Sequence, residues 1–437
     1  MSEPRRFLEA NNIRTVEVSL VDLTGALRGK RLPARAFLAD ALPGKVAFSS
    51  ALFAWDYGLE VFSDERYNWA TGYPDIFLRP DLSTLRLVGW RPASAFVHSD
   101  VTDDQGAELE ISPRHILRRA VAACEAAGYR PMVGLESEFY LIDAETRRPV
   151  GDRNPVYSLH DGSCLEPVLS EITDALETAG IEVEACGAEY APGQVEINIK
   201  YSTPLQAADD LIFLRYAAKQ AAARHGLVAT FMAKPFTELS GSGLHVHQSL
   251  LDAAGDRNLF YDPGEGGLSE LGRHYLCGLL SYAPDTYAVC VPTPNGFRRV
   301  RDHSFAPTTL SWGSDNRSVA VRVLRRGAAG TRLESRIAAA DANPYLLVAV
   351  TLLAGLAGIK DAIAPAPAAV ADAYQSGEEA LPASLGEAIR LLRASAFAKS
   401  VLGERVVELL AAVAGREMAL SQEQVSDWER ARYLEAV

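Results

Sequence analysis

The sequence predicts an α+β chain in two parts, and three observations carry that prediction. Short β-type runs separated by turns fill the first hundred residues, strands alternate with helices from residue 113 onward, and an amphipathic helical pattern begins at residue 385. At 437 residues with 48% hydrophobic content, the chain is too long for one small core. A smaller β-rich domain over 1–104 and a larger one over 105–437 are expected, and disorder is excluded.

In the first part, Thr15-Val16-Glu17-Val18-Ser19-Leu20 reads as a strand, while Asp22-Leu23-Thr24-Gly25 and Gly72-Tyr73-Pro74-Asp75 read as turns. A polar segment over 101–111 ends at Ser112-Pro113, an N-cap followed by proline at the first helical position, and the helix stops at Gly128. A strand over 131–142, a helix near 167–179 and a strand over 194–200 follow. Thr203-Pro204-Leu205-Gln206 reads as a capping box opening a helix that ends at Gly226. From residue 385, Leu391, Leu392, Val401, Leu402, Val406, Leu409 and Leu410 fall at helical spacings. The alanine-rich stretch Ala362 to Ala373 suits either a mobile loop or a helix.

A formal net charge of −13 gives no electrostatic footprint for nucleic acid or an anionic membrane. Residues 1–12 lack the apolar run of a signal peptide, and the longest apolar stretch, Leu346 to Ile359, is too short to span a bilayer. A cytoplasmic protein is expected. Cys124, Cys164, Cys186, Cys277 and Cys290 are odd in number and form no CxxC pair, so they read as buried small apolar residues rather than disulfides or zinc ligands.

Chemistry concentrates on polar strand faces. In Gly134-Leu135-Glu136-Ser137-Glu138-Phe139-Tyr140, alternation puts Val133, Leu135, Phe139 and Leu141 on one face and both glutamates on the other. Such a pair alone reads first as the solvated face of an edge strand. The pattern recurs, however. Glu189 and Glu196 flank Pro192-Gly193, and Glu196 and Asn198 oppose Val195, Ile197 and Ile199. After Gly241-Ser242-Gly243, the residues His245, His247 and Ser249 oppose Leu244, Val246 and Leu250, and two histidines at period 2 suit ligands. Arg332, Glu334 and Arg336 share one face shortly after Asn316-Arg317-Ser318-Val319-Ala320-Val321-Arg322. Alone this is a surface ion-pair ladder, but arginines beside carboxylate-held metals suit phosphoryl transfer. Five glutamates and a histidine favour Mg²⁺ or Mn²⁺ over zinc. No Walker A sequence is present, and Arg325-Arg326 reads as a solvated turn.

In their order and separations, these segments resemble glutamine synthetase of the bacterial type I superfamily over essentially the whole chain. The resemblance implies a β-grasp-like N-terminal domain, a catalytic domain with a curved antiparallel sheet flanked by helices, and a dodecamer of two stacked hexameric rings with active sites between subunits. Carried over by position, Glu138, Glu189 and Glu196 hold one metal, and Glu136, His245 and Glu334 hold the second. His247, Ser249, Arg322 and Arg332 match ATP-contacting positions. Arg317 and Arg336 match arginines around the transferred phosphoryl group, Arg299 one that grips glutamate, and Gly241 lies in the glutamate-binding loop. The implied chemistry is glutamate activation by ATP to an acyl phosphate, followed by attack of an amine.

Two departures bear on that amine. Ammonia-using members carry a glutamate two residues before a proline where this chain has Phe305 before Ala306-Pro307, and an N-terminal aspartate where this chain reads Phe48-Ser49-Ser50-Ala51-Leu52-Phe53-Ala54-Trp55. Two lost acids and a gained ring resemble the γ-glutamyl-amine ligase branch, and Phe305 favours a monoamine over a polyamine. A one- or two-residue slip would instead bring in Asp56 or Asp302 and restore an ammonia-dependent enzyme; a non-catalytic scaffold is the third alternative. Ser240 stands where the family has asparagine, which leaves open whether the acid is strictly glutamate. Tyr374 lacks the context of the adenylylated tyrosine, so that control is not expected.

Overall fold

A computed structural model describes residues 3–62, 66–265, 267–364, 368–369 and 371–436. Two sheets organise them. The first comprises β1 (Thr15–Val21), β2 (Leu27–Pro33), β3 (Val46–Ser49), β4 (Asp75–Pro80), β5 (Arg86–Leu87) and β6 (Ser94–Thr102), in the order β2-β1-β6-β4-β3 with β5 also on β6. Its β1–β6 pair is parallel and its other pairs are antiparallel.

The larger sheet comprises β7 (Tyr129–Asp143), β8 (Val183–Ala188), β9 (Gln194–Ile199), β10 (Leu227–Thr230), β11 (Leu244–Asp252), β12 (Trp312–Ser314), β13 (Val321–Leu324) and β14 (Arg332–Ser335). Their order is β12-β13-β14-β11-β7-β9-β8, with β10 on the far end of β7. The expectation of an antiparallel sheet holds for every pair except β12–β13, which is parallel. At 15 residues, β7 is long enough to pair in succession with β11, β9 and β10.

Alternation decides which face is dry. Val133, Leu135, Phe139, Leu141, Val195, Ile197, Leu244 and Val246 are all buried, and the helices Pro113–Ala126 and Pro204–Arg224 pack against β7. The apolar stretch from Leu346 lies in the helix Pro344–Lys360, most of whose residues are buried. Among the described residues, no helix is long and apolar enough to cross a membrane.

The two sheets are tied by a buried charge network. Arg114 meets Asp209 at 3.0 and 2.8 Å, Asp100 of β6 at 2.6 Å and Asp81 at 2.7 Å, while the Tyr345 hydroxyl donates to Asp209 at 2.6 Å.

Two local expectations need correction, and one open alternative is decided. Thr203 precedes the helix without a side-chain capping bond, and the Gln206 side chain that would complete the box bonds Asp210 one turn on instead. Cys164 and Cys186 are exposed, since each lies in a segment that presents little apolar surface to the core. The stretch 362–373 forms no continuous helix among its described residues, and 365–367 and 370 lie outside them.

Candidate active site

The polar face of the larger sheet gathers residues from strands far apart in sequence. Register places Glu136 opposite His245 on one side and Asn198 on the other, Glu138 opposite Glu196, His247 opposite Glu334, and Arg322 opposite Glu334. Directly opposed side chains stand about 4.5–5.5 Å apart at Cβ, so these pairs must interact. His247 Nε2 lies 2.9 Å from Glu136 Oε1, and His245 Nδ1 lies 3.5 Å from Glu136 Oε2 and 3.7 Å from Glu334 Oε1. The alternative of a solvated edge is excluded, since β7 is interior to its sheet and His245, His247 and Glu334 are buried.

So many acids in one place oppose one another. Burial, reinforced by Glu136, Glu138 and Glu189, pushes the Glu196 carboxyl up to about 8. Burial and Glu189 push Glu138 up to about 7 against the pull of Arg299 and Arg336. Glu189 is raised by burial as well, with the Arg317 guanidinium among the groups acting the other way. Burial also works against ionised Glu136 and Glu334, but His245 and its neighbours outweigh it and hold both below the usual carboxylate range.

The donor set fits divalent cations. Ligand atoms of Glu136, Glu196 and His245 lie within 4.8 Å of one another, as do those of Glu136, His247 and Glu334. Burial and Arg336 lower His245 to about 4, so its ring is neutral and keeps a lone pair for a metal. His247 differs. Its Nδ1 accepts from Arg332 Nε at 3.1 Å, which puts the proton on Nε2 and leaves that nitrogen a donor. Its chemistry therefore suits an anionic oxygen better than a cation. Buried Asn198 Oδ1 and Gln194 Oε1 have no partner on the same face.

The arginines divide in environment. Arg322 is clamped between Glu334, at 2.9 Å, and Asp315, at 2.5 Å, while Arg336 donates to Glu334 and at 3.4 Å to the Phe305 carbonyl. Arg317 is exposed. Arg299 is buried and donates to main-chain oxygens of Ile337 and Arg336 at 3.3 and 3.4 Å. It packs against the Gly241–Gly243 loop, which is why that loop is glycine-rich: a Cβ on Gly241 would fall 2.6 Å from Arg299 Cγ and one on Gly243 would fall 2.6 Å from Arg299 Nη2. The Gly243 N–H donates to Glu138 Oε2 at 2.8 Å, and Tyr140 holds the Ser240 carbonyl at 2.6 Å.

Beside the cluster, a cavity of ≈ 210 Å³ is lined by Glu136, His247, Ser249 and Arg332, together with Tyr201 and Asn198. Three of the four expected nucleotide residues meet there, and Arg322 does not line it. A larger groove of ≈ 1490 Å³ lies between β1–β2 and the helices Pro204–Arg224 and Glu404–Glu423, away from the carboxylates. The smaller cavity carries the site because the chemistry is there.

Sequence reasoning missed Tyr201, Gln194 and Asp315. Gln194 donates to the Gly241 carbonyl at 3.0 Å and approaches Glu138 at 3.4 Å, joining β9 to the glycine loop. An amide two residues before Glu196, on the same face of β9, was the available signal. As expected, Arg325 and Arg326 are exposed in a turn.

The chain matches the family model for the glutamine synthetase catalytic domain over residues 110–433. It belongs to the glutamine synthetase family. Relatives of this family include a glutamate–isopropylamine ligase from Pseudomonas sp, 39% identical over 99% of this chain and 97% of the relative. A γ-glutamylethanolamide synthetase from Streptomyces coelicolor is 34% identical over 100% of this chain and 96% of the relative. A solved structure described as a GmaS/ADP complex superposes with a TM-score of 0.89 at 31% identity, covering all of both chains. The fold is that of glutamine synthetase, and the protein is a carbon–nitrogen ligase of the γ-glutamyl type. Glutamine synthetases use ATP and divalent metals, in keeping with the oxygen-rich cluster on this sheet.

Proposed function

We propose that the protein is an ATP-dependent ligase that joins glutamate to a primary amine larger than ammonia, through γ-glutamyl phosphate. The observation that carries this reading is Phe305, whose carbonyl accepts from Arg336 beside the carboxylate cluster and which stands where the resemblance to ammonia-using members leads one to expect an acid. An apolar ring neither attracts nor deprotonates ammonium.

Of the acids that a slip in alignment would substitute, Asp56 is engaged in an ion pair of its own, and Asp302 is bonded to a neighbouring hydroxyl. Asp56 is buried, pairing with Arg416 Nε at 2.5 Å and accepting from the Glu60 N–H at 2.9 Å. Asp302 accepts from Thr308 Oγ1 at 3.2 Å. Of the carboxylates that influence Arg299, Glu138 belongs to the cluster, and Asp341 takes the Thr293 hydroxyl at 2.7 Å and lines the large groove. The names of the two relatives, one for isopropylamine and one for ethanolamine, favour the same reading.

Each group then has a task. Glu136, Glu138, Glu189, Glu196, His245 and Glu334 would hold Mg²⁺ or Mn²⁺, which supplies charge neutralisation at the phosphates when bound. His247, Ser249 and Arg332 bind the nucleotide, with Arg322 held behind them against Glu334. Arg299 and the Ser240–Gly241 loop orient glutamate. A side-chain carboxylate oxygen attacks the γ-phosphorus, the bond to ADP breaks, and Arg317 and Arg336 stabilise the transferred group. The amine nitrogen then attacks the acyl carbon, sheds a proton and expels phosphate. The active unit is a homo-oligomer, a dodecamer of stacked hexamers with sites between subunits, and the division near residue 105 separates its N-terminal from its catalytic domain.

The test is ATP-dependent phosphate release with glutamate and Mg²⁺ across ammonia, methylamine, ethanolamine, isopropylamine, aniline, putrescine and spermine. Ammonia as best substrate overturns the reading in favour of an ordinary glutamine synthetase. Inactivity with every amine turns it toward another acid or a scaffold.

A further inference from the structure

We propose that Tyr190 and Phe305 are paired walls of the amine subsite, and that together they select a primary monoamine with a small apolar substituent. The inference rests on the amine-ligase reading and adds to it a residue, Tyr190, and a substrate class. Tyr190 and Phe305 are each about half exposed, at 51% and 53%. Their centroids stand 6.3 Å apart, tilted at 57°. Two such rings form an adjoining apolar surface of the kind that receives a ligand.

Both rings are carried by main chain that adjoins the reacting groups. Tyr190 directly follows Glu189, whose carboxyl feels Arg317 and Arg336. The main chain of Phe305 is bound to Arg336, so one guanidinium faces both the carboxylate cluster and the ring-bearing loop.

The loop holds Phe305 in a conformation that its side chain disfavours. His303 and Phe305 both have φ +60°, a region costing an ordinary residue about 1–3 kcal/mol and kept only where the surroundings fix it. Three contacts fix it here. Arg336 Nη2 donates to the Phe305 carbonyl at 3.4 Å, the Tyr374 hydroxyl donates to the Ala306 carbonyl at 3.1 Å, and His303 Nε2 lies 3.1 Å from Asp372 Oδ2. Tyr374 is thus a positioning residue for the wall that Phe305 supplies.

The charges around the pair narrow the ligand. Arg317 and Arg336 repel a second ammonium beside the rings, and Glu189 belongs to the metal-binding set. A diamine would leave its far charge against rings and guanidiniums. A short alkyl substituent would meet two π-surfaces.

The test measures KM and kcat for isopropylamine and methylamine, and KM for ATP and glutamate, in the wild type, Tyr190→Ala, Tyr190→Phe and Phe305→Ala. Removing one wall of a pocket for a few methyl groups raises the isopropylamine KM about tenfold or more. Methylamine is expected to change less than threefold, ATP and glutamate less than twofold, and Tyr190→Phe is expected to behave as wild type. An unchanged isopropylamine KM in Tyr190→Ala overturns the proposal, as does an equal loss with both amines and with glutamate. If Tyr190→Ala does not fold, Tyr190→Ser and Phe305→Leu, checked by thermal unfolding, carry the same comparison. A wild type that prefers ammonia refutes the amine-ligase reading, whereas a wild type that uses isopropylamine with insensitive variants refutes only the aromatic pair.

Discussion

The crowding of carboxylates makes metal binding proton-coupled, and the structure sets the size of the effect. With Glu196 at about 8 and Glu138 at about 7, each raised in part by neighbouring carboxylates, the pair shares on the order of one proton in metal-free protein at pH 7. A cation that requires both ionised should release on the order of one proton at pH 7 and almost none at pH 9.5. Its affinity should fall steeply from pH 8 to pH 6, approaching about tenfold per proton per unit. The sign for stability is fixed as well. Because these folded-state carboxyls sit above their unfolded value, the metal-free fold binds extra protons and loses stability as pH rises from about 4.5 to about 8. Bound metal restores it. Calorimetric titration with Mn²⁺ in buffers of different ionisation enthalpy reads the proton count, and unfolding temperatures with and without Mn²⁺ should diverge from pH 6 to pH 9. Proton release indistinguishable from zero at pH 7 would refute the reasoning.

Three substitutions probe other parts of the account. Glu138→Ala should abolish turnover, and a fully active variant would remove Glu138 from the metal assignment. Gly241→Ala drives a Cβ to 2.6 Å from Arg299 Cγ and 2.9 Å from the Ala233 carbonyl, so it should raise the glutamate KM at least tenfold and cost about 1–3 kcal/mol in denaturant unfolding. Unchanged glutamate kinetics would detach Arg299 from that substrate. Arg114→Met leaves Asp209 and Asp100 without their buried partner and should cost about 3–5 kcal/mol, with the N-terminal sheet loosening first in hydrogen exchange. Uniform exchange throughout would show that the network does not join the two sheets.

The site was legible where side chains follow strand period. Glu136, Glu138, His245 and His247 declare their shared face by alternating with buried Val133, Leu135, Leu244 and Val246. What alternation cannot give is register, and register decides partners: His247 meets Glu334 only because β14 pairs with β11 at that offset. For the same reason the donor atoms gather around Glu136 and draw in His247, while Glu138 is turned to the Gly243 N–H. Arg322 is held from one side by Glu334 and from the other by Asp315, which directly follows β12, a three-residue strand too short to be read from the sequence. The short strands β8 and β10 left too little pattern to find, and the Tyr190–Phe305 contact joins residues whose separation carries no local signal.

The most direct test of the central claim supplies glutamate labelled with ¹⁸O in its side-chain carboxylate, together with ATP, Mg²⁺, isopropylamine and an equal concentration of ammonium. Attack of the carboxylate on the γ-phosphorus followed by amine attack on carbon leaves one labelled oxygen in the released phosphate. Mass spectrometry should find phosphate carrying one ¹⁸O and γ-glutamyl isopropylamide in excess over glutamine. Unlabelled phosphate would contradict the acyl phosphate, and labelled phosphate with glutamine as the main product would contradict the choice of amine.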